Sequence, residues 1–256
     1  MHAISRKPLQ GVLNIVRFNW HFYALAAGIV IIITILFFYI PTISVGPLLV
    51  VAGLVTLSMV ISLIVSCYIY DCSGLYTLDW LPNENTSRPT RIINIHAGFD
   101  ETSALIANRY PESQLRVLDF YDPALHTEIS VRRARQAYPP YPGTESTDTK
   151  NLALAEHSAD LILGLFSFHE IRDRRERIDF LRQLRQALTE EGTIIIAEHL
   201  RDMPNALAYN IGCFHFLPAH EWMANFAAAG LRIKQQTSVT PFITVFTLTH
   251  DDGAAS

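Results

Sequence analysis

The pattern of apolar and polar positions divides the chain into two parts. Residues 18–70 include no Lys, Arg, Asp or Glu, and they contain two long apolar stretches, 21–40 and 47–70. Each stretch reaches the roughly 20 residues that a helix needs to cross a ~30 Å hydrocarbon core. Because backbone polar groups must be paired inside lipid, the pattern predicts a transmembrane helical hairpin. We assign residues 1–80 to this membrane hairpin.

Two other interpretations of such apolar stretches are less favoured. A signal peptide has an apolar core of about 7–15 residues and a small-residue cleavage site, and neither fits residues 21–40. A buried hairpin of a soluble protein would have a polar stripe along each helix, which both stretches lack.

The flanking charges predict the orientation of the hairpin. Arg6, Lys7 and Arg17 precede the first stretch, whereas the connecting turn, residues 41–46, carries no charge. The positive-inside rule then places the N-terminus in the cytoplasm, and two spans return the chain to the same side. We therefore expect an integral protein of the inner (cytoplasmic) membrane, with the lipid bilayer as a partner and its remaining domain facing the cytoplasm.

After residue 90 the pattern changes to alternating strand and helix signals. Strands are predicted at residues 91–98, 114–122, 159–168 and 193–200, helices at 101–110, 126–138, 173–188 and 218–230, and a terminal pair of strands at 231–250. The helix at 173–188 is expected to stop at Gly192. This alternation predicts a Rossmann-like, doubly wound α/β domain over residues 91–256.

Polar residues are concentrated where four successive strands end. The sequence reads HAGFDE, DFYDP, FSFHE and AEHLRD at these places. In doubly wound domains, ligands bind at the carboxyl ends of the strands, near the point where the strand order reverses. We therefore expect a ligand site there.

The order and spacing of these segments resemble the class I S-adenosylmethionine-dependent methyltransferases over residues 91–249. The family's first loop reads acid-x-Gly-x-Gly-x-Gly, and the same positions here are Asn94, His96, Gly98 and Asp100. The family's ribose-binding acid corresponds to Asp119. The segment TDTKNLALAEHSADLIL is similar to the family's third motif, with Asp148 at the position of its first acid.

The resemblance implies a mostly parallel seven-stranded sheet whose last strand is antiparallel, and S-adenosylmethionine as cofactor. One glycine in the loop is enough for a cofactor without phosphate, because few backbone donors are needed. The expected cofactor-binding residues are Asn94, His96, Gly98, Phe99, Asp119, Phe120, Asp148, Thr149 and Phe166.

Histidines beside acids at the strand ends are the candidates for proton removal. His169 follows the fourth strand and can act as a base near neutral pH, with Glu170 orienting it or binding substrate. A helix cap or a backbone hydrogen bond is the structural alternative for His169. Glu198 and His199 occupy the equivalent place after the fifth strand, and His215 is expected in a lid or core position.

Two functions are compatible with these features. The first is a membrane-anchored methyltransferase that acts on a lipophilic small molecule or lipid, with residues 208–218 as an apolar wall. The second is a catalytically inactive, methyltransferase-like membrane subunit that serves in assembly. The net charge of −4 disfavours a nucleic-acid partner. The three cysteines show no metal-ligand spacing, and we expect no metal.

Overall fold

The computed structural model describes residues 6–39, 45–81 and 89–251. Its N-terminal part contains α1 (Gln10–Phe18), α2 (Trp20–Tyr39) and α3 (Val45–Cys67), and a π-helix (Tyr68–Cys72) continues α3. By length and composition, two helical stretches could cross a membrane: Trp20–Tyr39 and Gly46–Thr77. Only 11% and 6% of their apolar windows are buried, so they differ from the core helices of a soluble domain. Most of the predicted turn, 41–46, lies outside the described residues.

A seven-stranded sheet forms the rest of the structure, in the order β3-β2-β1-β4-β5-β7-β6. Only β7 runs antiparallel to its neighbours, so the predicted fold class is confirmed. The strand order reverses between β1 and β4. The elements are β1 (Arg91–His96), α4 (Ser103–Arg109), β2 (Gln114–Asp119), α5 (Ile129–Ala137), β3 (Glu145–Ser146), β4 (Ala159–Leu165), α6 (Arg174–Ala187), β5 (Leu188–Glu198), α7 (Met203–Tyr209), α8 (Ala219–Ala228), β6 (Leu231–Thr240) and β7 (Ile243–His250).

Two hydrophobic cores cover the two faces of the sheet. The first contains Phe180 of α6 and Trp222 of α8, both fully buried. The second contains Ile69, Leu75, Leu78 and Leu81, which follow α3 and pack against apolar residues of the central strands. The chain that leaves the second apolar helix is therefore part of the core of the α/β domain.

Two hydrogen bonds connect the short helix α1 to the π-helix that continues α3. The Asp71 carboxylate accepts hydrogen bonds from the backbone amides of Gly11 (2.7 Å) and Val12 (2.8 Å), which are unpaired donors at the start of a helix. A Cβ atom on Gly11 would lie 2.3 Å from the Tyr70 Cβ, so only glycine permits this approach. Sequence analysis did not predict α1 as a separate element.

The expected helix stop at Gly192 is wrong. Helix α6 ends at Ala187, and Gly192 lies inside β5. The last carbonyls of α6 accept hydrogen bonds from loop amides instead, His157 N to Gln186 O (3.0 Å) and Ser158 N to Ala187 O (2.8 Å). Because these amides satisfy the helix end, no left-handed glycine is needed there.

Candidate active site

A cavity of about 240 Å³ lies at the carboxyl ends of β1 and β4, beneath α1. This position is the one at which ligands bind in doubly wound sheets. Its wall is mostly apolar and aromatic, with a few polar groups among them. The main lining side chains are Asn14, Ile15, Phe18, Tyr70, Tyr76, Ile95, His96, Phe99, Glu101, Thr102, Val131, Leu165, Phe166 and Glu170.

His96 presents a hydrogen-bond donor to this cavity. Its Nδ1 accepts from the Gly98 amide (3.2 Å), which assigns the proton of the neutral ring to Nε2. Burial lowers the pKa of His96, although Asp100 and Asp119 partly oppose that shift. The Nε2 atom is buried and has no hydrogen-bond partner among the described residues. A ligand acceptor in the cavity would satisfy it.

The other altered positions of the β1 loop organise the start of α4. Asn94 Nδ2 donates to the hydroxyls of Thr102 (3.0 Å) and Ser103 (2.8 Å). Asp100 Oδ1 accepts from the amides of the same two residues, both at 2.9 Å. Asn94 therefore lies beneath the loop, and Asp100, at the position of the family's third glycine, orders the turn that leads into α4.

Gly98 and Asp119 meet at the ends of β1 and β2. Gly98 has a φ of +94°, and a Cβ atom there would lie 2.8 Å from the Tyr121 ring, so both backbone conformation and space require glycine. The Asp119 carboxylate accepts from the Tyr121 amide (3.0 Å) and is paired with the Arg135 guanidinium. Arg135 also donates to the Gly98 carbonyl (3.2 Å) and lies 4.5 Å above the Tyr121 ring.

These residues fit S-adenosylmethionine with one condition. The unpartnered His96 Nε2 suits the carboxylate of its methionine half, and the carboxylate of Glu101, which Arg6 and Tyr76 also contact, suits the ammonium group. The ribose half requires Asp119, whose carboxylate is already paired with Arg135. The Asp119 side chain is only 9% exposed, so its ion pair with the 39% exposed Arg135 can open only if the ribose hydroxyls replace the guanidinium as donors to the carboxylate.

The predicted cofactor residues fall into two groups in the structure. His96, Phe99 and Phe166 line the cavity. Phe166 has a left-handed φ of +54°, which is strained for a non-glycine residue and often accompanies a functional site. The second group does not line the cavity: Phe120 packs in the core against Phe180, Asp148 is exposed, and the Thr149 hydroxyl donates to Glu176. Asn94, Gly98 and Asp119, at the ends of β1 and β2, are not part of its wall either.

His169 lies in a buried cluster of charged groups next to the cavity. Its Nδ1 is 2.6 Å from Glu198 Oε2, and its Nε2 is 3.4 Å from Glu170 Oε1. Burial alone would lower the pKa of His169, but Glu198 and Glu170 outweigh it and raise that pKa to about 10. At Glu170, the contacts with His169 and His215 outweigh burial and hold the pKa of that carboxyl well below its usual range.

This charge state changes the predicted role of the pair. At neutral pH, His169 is an imidazolium, and the group that faces the cavity is the ionised Glu170. That His169 removes a proton stays a prediction, although its contacts with two carboxylates raise its pKa. Sequence analysis gave Glu198 no specific role, because only the pairing of β4 with β5 brings it next to His169.

His199 occupies a different environment at the end of β5. Its Nε2 accepts from the Tyr70 hydroxyl (2.9 Å), and its Nδ1 donates to the Phe242 carbonyl (3.0 Å). Burial, aided by the nearby charge of His169, lowers the pKa of His199 to about 4. His199 therefore connects the segment after α3 to the sheet, and Tyr70 lies between it and the cavity.

Three of these side chains offer ligand atoms at distances suitable for a metal ion. The ligand atoms of His169, Glu170 and His215 lie within 4.8 Å of one another. A cation already contacts them, because Arg172 donates to the His215 carbonyl (2.7 Å) and lies 3.5 Å from Glu170 Oε2. The geometry therefore favours an organic ion-pair cluster over a metal centre.

No family model matches the chain, and no curated protein matches it. Among solved structures, it is similar to the PH0226 protein from Pyrococcus horikoshii OT3, with a TM-score of 0.51 and 12% identity over 70% of this chain and 90% of that chain. It is also similar to a SAM dependent methyltransferase from Aquifex aeolicus, with a TM-score of 0.44 and 12% identity over 62% and 81% of the two chains.

A further similar structure is "PigF with SAH", with a TM-score of 0.48 and 15% identity over 68% of this chain and 61% of that chain. The chain thus spans less than two thirds of that protein. At these identities the likeness shows the fold alone. The chain has a Rossmann-like, doubly wound fold, which it shares with the PH0226 protein.

Proposed function

We propose that the protein is a membrane-anchored S-adenosylmethionine-dependent methyltransferase that acts on a lipophilic small molecule or lipid at the cytoplasmic face of the inner membrane. The observation that supports this most directly is the position of the cavity. It lies at the strand ends where this fold binds ligands, and its roof is α1, which directly precedes the first apolar helix.

The cofactor would supply a methyl group on a sulfonium centre, and the chain would position the reactants. Gly98 allows close approach of the backbone, and the His96 Nε2 proton is available to a carboxylate. Asp119 would accept the ribose hydroxyls once Arg135 has moved away. Phe18 and Phe99, with ring centroids 5.7 Å apart, form an apolar part of the wall next to α1, which would limit the access of water to the reacting atoms.

Glu170 is the group best placed to receive a proton from an acceptor hydroxyl. It faces the cavity, and its carboxylate is held ionised by His169. Glu198, which is fully buried, balances the charge of His169 on its other side. In this arrangement Glu170 binds and orients the hydroxyl. Because its lowered pKa makes it a weak base, it receives the proton only as the bond between the oxygen and the methyl group forms. His169 and Glu198 are positioning residues.

One observation favours the alternative function, a methyltransferase-like subunit without catalysis. Asp119 is paired with Arg135, and Arg135 also bonds to the Gly98 carbonyl, so the chain's own guanidinium occupies the side of the loop that faces the ribose position. If this ion pair never opens, the fold would keep its loop but not its cofactor. The two functions therefore differ in whether the cofactor binds.

Calorimetric titration of the full chain with S-adenosylmethionine and its demethylated product distinguishes them. We expect both to bind, and Asp119→Ala to weaken binding by roughly 30- to 1000-fold, which corresponds to about 2–4 kcal/mol for hydrogen bonds to a charged acceptor. Asp148→Ala is the comparison variant: Asp148 is exposed, and its loss should weaken binding less than the loss of Asp119, since it would touch only the adenine edge.

Unchanged affinity in a folded Asp119→Ala variant would mean that the ribose binds elsewhere. Absence of binding to the parent protein would favour the inactive subunit. If the cofactor binds, mass spectrometry of membrane lipids from cells with and without the gene should reveal a species that differs by one methyl group.

A further inference from the structure

The exposed apolar side chains of the α/β domain are concentrated at one end of the sheet. Among the described residues after position 81, seven large apolar side chains are exposed, and six of them follow β2 or β5 at the carboxyl ends of the strands. Large exposed apolar patches usually mark interaction sites. The six are Leu125, Ile129, Met203, Leu207, Ile211 and Phe214.

Four of the six belong to residues 203–216, which comprise α7 and a 3-10 helix (Asn210–His215). Their exposure is extreme for apolar residues, 85% for Ile211 and 70% for Phe214. The inner side of the same segment packs toward the site, since the Phe216 ring stacks on His199 with centroids 4.9 Å apart. The segment therefore has one face on the protein and one apolar face without a described partner.

A contact with α3 shows how far this segment extends along the apolar helix. Asn210 Nδ2 donates to the Ser58 hydroxyl (2.7 Å), and α7 packs on α3. Ser58 precedes the end of α3 at Cys67 by more than two turns, which at 1.5 Å per residue corresponds to about 13 Å along the helix. A bilayer that surrounds α3 would therefore also surround the segment.

Cations lie beside the apolar surface. Arg201 is exposed, lies 5.8 Å from the Phe214 ring and donates to the Phe214 and Phe216 carbonyls. Arg132 of α5 is exposed next to Ile129. Apolar side chains flanked by arginines are typical of segments that insert into the interface of an anionic leaflet.

We propose that residues 203–216 form a re-entrant segment embedded among the acyl chains of the cytoplasmic leaflet, so that a lipophilic acceptor reaches the cavity laterally from the bilayer. This proposal rests on the proposed membrane anchoring of α2 and α3. Continuity with α3 identifies lipid as the occupant, because the exposed face lies at the level of Ser58. A protein partner or a second copy of the chain is an outcome that the test must separate.

Site-specific quenching of tryptophan fluorescence tests the location of the segment. The full chain would be reconstituted in nanodiscs of phosphatidylcholine with and without bromine on the acyl chains, and the signal of each added tryptophan taken as the difference from the parent. Ile211→Trp should be quenched at least roughly twofold more than the control Glu190→Trp, because interfacial segments lie about 5–10 Å inside the headgroup boundary. Glu190 is exposed at the start of β5, at the opposite end of the sheet.

A third variant, Ile31→Trp in α2, reports on the anchor itself, since Ile31 is exposed on that helix. Quenching of Ile31→Trp by bromine, with Ile211→Trp quenched only by aqueous iodide, would overturn the re-entrant segment and leave the anchor intact. Quenching of neither by bromine would overturn the membrane anchoring as well. Shielding of Ile211→Trp from both quenchers would identify a protein partner and overturn lipid contact. Leu207→Trp repeats the measurement should Ile211→Trp misfold.

Discussion

Two histidines at the ends of neighbouring strands have opposite charge states. His169 follows β4 and contacts two carboxylates, which raise its pKa to about 10. His199 follows β5 and contacts a tyrosine hydroxyl and a backbone carbonyl, and burial lowers its pKa to about 4. Both rings are buried to a similar degree, 6% and 4% exposed, so the difference comes from their partners.

The two histidines therefore belong to different environments. His169 lies in a charged cluster beside the cavity, and His199 makes neutral contacts that hold parts of the domain together. The charged cluster around His169 holds Glu170 at the cavity, whereas the neutral contacts of His199 connect Tyr70, which follows α3, to the sheet. A strongly perturbed pKa therefore does not by itself identify the group that acts on substrate. The predictions below test this distinction.

The largest expected effect is on turnover. Glu170→Gln keeps the shape of the side chain but removes the proton acceptor, so methyl transfer should fall by roughly 10²–10⁴-fold. His199→Gln is the matched variant on the neighbouring strand and should cost much less. Incorporation of labelled methyl groups into membrane extracts measures both, with cofactor affinity as the check that the cofactor half of the site is intact. A larger loss in His199→Gln would mean that the reaction takes place at the end of β5 and not, as proposed, at the end of β4.

The next effect is on stability. Glu198 is fully buried, pairs with His169, and accepts from the Phe168 amide (3.0 Å), so Glu198→Ala removes the shorter of the two carboxylate contacts of His169 and leaves an unpaired amide. Such a change should lower the free energy of unfolding by about 3–5 kcal/mol. Thermal unfolding in detergent checks it, with the exposed Glu190→Ala as control. Equal stability in the two variants would mean that His169 is not charged in the folded protein.

The two histidines should also respond to pH in opposite directions. The stabilisation from His169 should be complete below pH 6.5 and lost as pH rises toward 10, because its folded pKa is raised. That from His199 should be present above pH 6.5 and lost as pH falls toward 4. The differences in unfolding temperature between the parent and His169→Gln, and between the parent and His199→Gln, should therefore shrink at opposite ends of the pH range. Parallel pH dependence would contradict the comparison.

Local pattern predicted the alternation of strands and helices and six of the seven strands, but not β3 (Glu145–Ser146). The seven-stranded sheet with an antiparallel last strand followed from the family resemblance, and that strand is β7. The helix end at Ala187 was missed because its carbonyls are satisfied by amides of residues 157 and 158, which no local pattern reveals. Likewise, α1 depends on Asp71, which lies far away along the chain.

The candidate site was less predictable because its charges depend on residues from different strands. The sequence identified His169 and Glu170 as neighbours, but the charge of His169 depends on Glu198, which only the pairing of β4 with β5 brings close. The pairing of Asp119 with Arg135 depends on the fold of α5 over the end of β2. Polar strand ends can therefore locate a site without giving its protonation states.

The smallest expected effect concerns the hydrogen bond between Tyr70 and His199. Tyr70→Phe removes one hydroxyl, which donates to His199 Nε2 at 2.9 Å, and leaves the ring in place. Loss of a single neutral hydrogen bond should lower the free energy of unfolding by about 1 kcal/mol. Because the partner is neutral His199, this loss should stay constant from pH 7 to 9, the range in which the contribution of His169 declines. Unfolding of Tyr70→Phe and the parent at both pH values measures it. A loss that changes with pH would show that Tyr70 is coupled to the charged cluster, and that the two strand ends act as one unit.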